Sequence, residues 1–150
     1  MTAKEFLGQI KQIESMIKQK RRTLEEMRQS AIGGGSCSGF NEKVQHSISG
    51  DSMGRVVDEY VDLEREIERD ILDYWKKKNE IINVIHSLKD DRYIRILHAK
   101  WVEDKRLEEI AVEMNYYFGH VRKLYTRAMR EIEKSIDNKD GAQKGHTSAL

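Results

Sequence analysis

Apolar side chains recur along this chain in steps of three and four, the spacing that lines one face of an α-helix. Near the start, Ala3, Phe6, Ile10, Ile13, Ile17, Lys20, Leu24 and Met27 form a seam broken only by Lys20. The pattern predicts a helix over residues 3–29. Thr2 and Glu5 stand at capping-box spacing just before it. A second seam reads Met53, Val56, Tyr60, Leu63, Ile67, Asp70, Tyr74, Lys77, Ile81, Val84 and Leu88, with Asp70 and Lys77 as polar breaks. It predicts a helix over residues 51–88. Seams that keep this alternation for more than three repeats are the pattern of coiled coils. Between them, GGGSCSG has linker composition. It has neither the preceding strand nor the lysine-bearing helix that a phosphate-cradling loop needs.

After the hairpin the period continues in shorter pieces. Asp90 or Asp91 caps a third helix over residues 92–102, with Ile94, Leu97 and Trp101 inward and Tyr93 and Val102 partly so. Then KRLEEIAVEMNYYFGHVRKLYTRAMR reads as two helices around a tight break. Leu107, Ile110, Ala111 and Met114 make one apolar face. Asn115 and Tyr116 form the break, since Asn tolerates the left-handed conformation that ends helices. Val121, Leu124, Ala128, Met129 and Ile132 form the inner side of the second helix. Its other side carries His120, Arg122, Lys123, Thr126, Arg127 and Arg130, and no acidic residue occurs between positions 114 and 130. A small apolar helix, a short turn and a basic second helix is the helix-turn-helix layout, with the charge that a helix entering the major groove needs.

RLEEIAVEMNYYFGHVRKLYTRAMREI resembles the promoter-reading C-terminal region of sigma-70-type transcription initiation factors. The resemblance lies in Glu108–Ala111, the gap to Val121, and Arg127-Ala128 in the second helix. The upstream YIRILHAKWVED is similar to the helix that precedes it there. The whole chain resembles small sigma-like regulators of Gram-positive phages and prophages, described as late-gene or autolysin regulators. Phe118 and Gly119 stand where sigma factors carry polar, DNA-facing residues, and no counterpart of the clamp-binding or DNA-melting regions occurs. The resemblance implies sequence-specific binding of double-stranded DNA in transcription control. Phe118, Gly119, His120, Arg122 and Lys123 then lie at the groove-facing start of the helix, where Arg122 can pair bidentately with guanine, Lys123 can contact guanine or phosphate, and Phe118 can press on a thymine methyl. Lys105, Arg106, Thr126, Arg127 and Arg130 are the phosphate contacts, which position without specifying.

Composition narrows the alternatives. With 150 residues, 35% charged, 38% apolar and no proline, the chain is expected to be all-α. Its domains are expected to be a long antiparallel coiled-coil hairpin at 1–88 with a flexible linker at 30–50, a helix-turn-helix domain at 89–136, and a disordered tail at 137–150. The first long helix has seven Lys/Arg against four Asp/Glu over residues 2–29, and the second three against nine over 51–75, which favours their mutual pairing. The small trihelical unit is expected to lean on Ile81, Ile85 and Leu88 of the hairpin, because it is near the size limit for a core of its own. Net charge is +1, so a nucleic-acid surface has to come from local segregation of charge. The single Cys37 and the lack of a signal or membrane-spanning run suit a cytoplasmic protein with no membrane partner. The five histidines show no metal-ligand spacing, so no metal and no cofactor are expected. No catalytic arrangement is present, so no enzyme is expected. The hairpin is assigned to homodimerisation or to contact with RNA polymerase. A phage small-terminase-like DNA-packaging subunit, or a coiled-coil protein adaptor, are the alternatives.

Overall fold

The computed structural model describes residues 1–32 and 50–143, and all of its regular structure is helical. Helix α1 spans Ala3–Ile32, α2 Gly50–His86, α3 Asp91–Leu97, α4 Leu107–Met114 and α5 Phe118–Gln143. The chain is all-α, as its apolar period requires. The expected linker with Cys37 lies outside the described residues except at its edges, where α1 continues through Ile32 and α2 begins at Gly50.

Local chemistry sets the helix ends. At α1, the Thr2 backbone N–H donates to Glu5 at 2.8 Å and the Glu5 N–H donates to the Thr2 hydroxyl at 3.2 Å, the reciprocal capping box. At α3 the cap is Asp90, whose carboxylate accepts from the Arg92 N–H at 2.9 Å. After Leu97 the helix widens into one π-helical turn, His98–Val102, where the Glu103 N–H reaches back five residues to the His98 carbonyl. Asp104 leaves that turn with a left-handed φ of 58° and pairs with Lys11.

Two compact units result. The first joins Met1–Gln12 to the chain from Tyr74 onward. One of its apolar clusters contains Ala3, Phe6, Leu7, Ile10, Ile81, Val84, Ile85, Leu88, Leu97, Trp101, Ala128, Ile132 and Ile136. A second holds Ile96, Ala99, Ile110, Ala111, Val121 and Leu124. The trihelical unit does lean on Ile81, Ile85 and Leu88. It also shares its core with the first turns of α1, so the compact unit does not begin at residue 89. A unit of under fifty residues buries little apolar surface alone and is marginal without such support. The α3 stretch serves both clusters: Leu97 and Trp101 face one, Ile96 and Ala99 the other.

The second unit, Ile13–Asp73, buries Ile17 and Ile67. There Lys20, the break in the first seam, bonds Asp70 at 2.6 Å and lies 3.4 Å from Glu66. The Asp70 bond raises the Lys20 ammonium above the ordinary lysine range. Two seam-breaking residues thus satisfy one another, which a partly buried lysine needs.

The tail is a correction. Residues 137–143 belong to α5, and only residues 144–150 lie outside the described part. Ile136 is buried in the first cluster and anchors the helix there, and no proline or capping glycine stops it at that point.

Candidate nucleic-acid interface

Helix α4 begins where the Arg106 N–H donates to the Glu109 carboxylate at 2.8 Å. It ends at Asn115, whose φ of 56° and ψ of 43° are the left-handed conformation expected of it. The Asn115 and Tyr116 N–H groups donate back to Val112 and Ala111, and close the turn. Helix α5 follows at once, with Val121, Leu124, Ala128 and Ile132 fully buried beneath it. Those contacts fix which side of α5 faces out.

The outward side brings together Gly119, Arg122, Lys123, Thr126, Arg127 and Arg130, which line one shallow surface groove. All six are exposed. Among the described residues no carboxylate forms an ion pair with Arg122, Lys123, Arg127 or Arg130. By contrast, Lys134 on the same helix is paired with Glu131 at 2.8 Å, and on α3 Arg95 is paired with Asp91. The acid-free segment therefore leaves its cations available. Cations that are not already neutralised are what a polyanion recruits.

The helix start is aromatic. The Arg122 guanidinium sits over the Phe118 ring, 5.8 Å from its centre. His120 meets Tyr116 edge-on at 5.1 Å. Gly119, between them, has nothing within 4 Å of where a Cβ would stand, so the backbone there is open to close approach. Thr126 donates its hydroxyl proton to the Arg122 carbonyl at 3.0 Å, which leaves its oxygen as an acceptor. A phosphate contact from Thr126 requires that bond to be exchanged.

Two of the expected phosphate contacts are placed elsewhere. Lys105 lines a different cleft of about 410 Å³ with His86, His98, Glu103 and Glu113. Its ammonium lies 2.6 Å from Glu103 and 2.9 Å from Glu113. The Glu103 bond, then the Glu113 bond, hold Lys105 well above the usual lysine range, and Lys105 in turn holds Glu103 below the usual carboxylate range. Lys105 is thus already neutralised. Arg106 remains exposed at the α4 N-terminus. The Lys76–Lys78 cluster is also partly engaged: Lys77 pairs with Glu80, and Lys78 covers the Tyr74 and Trp75 rings.

Sequence reading passed over Val112, which is 81% exposed, and Tyr117, at 90%. For Val112 the signal was present, because it lies off the apolar face of α4; Tyr117 stands in the turn between α4 and α5, where no helical period marks its exposure. Among the described residues no cluster of His, Cys, Asp or Glu could hold a metal ion, and no helix is long and apolar enough to cross a membrane. No protein-family model matches the chain, and no curated protein or solved structure matches it significantly.

Proposed function

We propose that this chain is a sequence-specific, double-stranded-DNA-binding regulator of transcription, sigma-factor-like and of phage or prophage type, acting in the cytoplasm. The observation that carries the reading is the outer side of α5. Arg122, Lys123, Arg127 and Arg130 stand exposed there without a carboxylate partner, on a helix held from beneath by Val121, Leu124 and Ala128. A rigid helix with its cations on one face is the form that enters a major groove. The sigma-like residues of α4 and α5 direct the reading to promoter-type DNA. The test is selection of binding sites from a randomised duplex pool with the full chain. A single enriched motif is expected. A pool that stays random after repeated rounds contradicts the proposal.

The two long helices are assigned a coiled-coil pairing that supports homodimerisation or contact with RNA polymerase. The Lys20–Asp70 pair and buried Ile17 and Ile67 support the pairing. A packaging subunit of small-terminase type remains the second reading, because α2 leaves Val57 55% and Leu72 62% exposed, apolar surface that assembly would cover. Solution mass separates the two: a monomer or dimer fits the regulator and a ring fits the packaging subunit. A third reading, a protein-only adaptor, predicts no DNA binding at any salt concentration.

A further inference from the structure

The first turn of α5 combines three features not found together elsewhere in the described residues. Phe118 is 40% exposed although it is a large apolar ring. Arg122, one helical turn later, lays its guanidinium over that ring at 5.8 Å, and no carboxylate competes for it. Gly119 beside them presents no side chain, with nothing within 4 Å of its missing Cβ. Beside that ring contact the Arg122 guanidinium makes no hydrogen bond or ion pair among the described residues, so its N–H groups are free to pair bidentately with guanine O6 and N7.

We propose that Phe118 and Arg122 act as one reading unit for a thymine–guanine step, with Phe118 covering the thymine C5-methyl and Arg122 pairing with the guanine that follows it. The inference rests on the DNA-binding reading above and adds the base step. On one strand, a thymine methyl lies in the major groove beside the N7 and O6 edge of the next guanine. Successive bases are about 3.4 Å apart along the axis, so a ring and a guanidinium 5.8 Å apart span neighbouring bases. A carboxamide or hydroxyl at position 118 would read hydrogen-bonding edges. A phenyl ring has no such group and reads only apolar surface, and the thymine methyl is the apolar group of the major groove. The absent side chain at Gly119 lets the base edges come close to both.

The experiment uses the full chain and the duplex enriched by selection. Each thymine is replaced in turn by deoxyuracil, which removes the methyl and keeps every hydrogen bond. The expected result is one thymine, on the 5′ side of a guanine, whose replacement weakens wild-type binding about fourfold, the worth of one buried methyl. The same replacement should leave Phe118→Ala binding nearly unchanged, and Phe118→Leu should retain part of the effect. Arg122→Ala should tolerate substitution of the adjacent guanine. Because Phe118 is partly exposed, melting of both Phe118 variants should match wild type. Loss of affinity that is equal for thymine and uracil duplexes in every variant overturns the inference and leaves DNA binding intact. A methyl-sensitive position that is not next to the Arg122-dependent guanine also overturns it. Failure to enrich any motif removes the DNA-binding reading itself, and this inference with it.

Discussion

Arg122 and Arg127 stand on the same exposed side of one helix but in different surroundings. Arg122 has its guanidinium over the Phe118 ring near the helix start, while Arg127 lies further along the groove-lining face with no aromatic partner. A guanidinium held against an aromatic ring has lost part of its freedom before binding and is better placed to read a base, whereas an unconstrained one serves a phosphate as well as any cation. Arg122→Ala is therefore expected to cost about 1–3 kcal/mol of binding and to relax preference at one position of the site. Arg127→Ala is expected to weaken all sequences alike and to lower the salt slope by about one unit. Titrating each variant against the selected and a scrambled duplex checks both. Equal loss on both duplexes for Arg122→Ala would remove its base-reading role. The outward side of α5 was legible in the sequence because Val121, Leu124 and Ala128 mark its inner side and no acid interrupts the rest. The engagement of Lys105 was not legible. It depends on a turn that places Glu103, two residues before, and Glu113, eight residues after, around one ammonium.

At the scale of the helix, the caps that start α1 and α3 and the turn that ends α4 were the most readable. Asn115 was expected to turn left-handed, and does. A residue with a Cβ but no local hydrogen-bonding side chain is strained there by about 1 kcal/mol or more, so Asn115→Ala should lower the melting temperature while Asn115→Gly should not. An unchanged Asn115→Ala melt would mean that the turn is not under this constraint. The caps give a pH dependence. Bonds from Thr2 lower the Glu5 carboxyl, and bonds from Arg92 lower the Asp90 carboxyl, each below its ordinary value. A carboxyl lowered on folding contributes stability that is present above its unfolded pKa, near 4, and is lost as pH falls through the lower folded value. The first turns of α1 and α3 should therefore fray under acid before the buried clusters open. Amide exchange at Glu5 and Arg92 against that at Leu124 measures this, and Thr2→Ala should move fraying of α1 to higher pH. What periodicity did not reveal is the burial of Ile96 and Ala99. A single apolar stripe assumes one packed face, while α3 is covered on two sides and its period shifts at the π-helical turn.

In the molecule as a whole, the helices after residue 90 share a core with the first turns of α1 and the last turns of α2. Leu7 of α1 and Trp101 lie in one cluster with Ile132, and a Cβ on Gly8 would stand 4.0 Å from the Trp101 ring. Sequence reading placed a boundary near residue 88 because the heptad seam ends there. Contacts between residues a hundred positions apart leave no trace in local spacing. Removing a buried aromatic costs about 3–5 kcal/mol, so Trp101→Ala should loosen Leu7 as well as Leu124, while residues 13–73 keep their protection in hydrogen exchange. Retained protection at Leu7 would show that α1 does not depend on this core.

The central claim is that the exposed cations of α5 bind duplex DNA. It is tested most directly by the affinity of the full chain for its selected duplex across a salt series. Three phosphate contacts, from Lys123, Arg127 and Arg130, predict that log K falls linearly with log salt with a slope of about −3, and that replacing all three with alanine flattens it. Binding that is undetectable at low salt, or whose slope is the same in the triple variant, would contradict the assignment of this face to DNA.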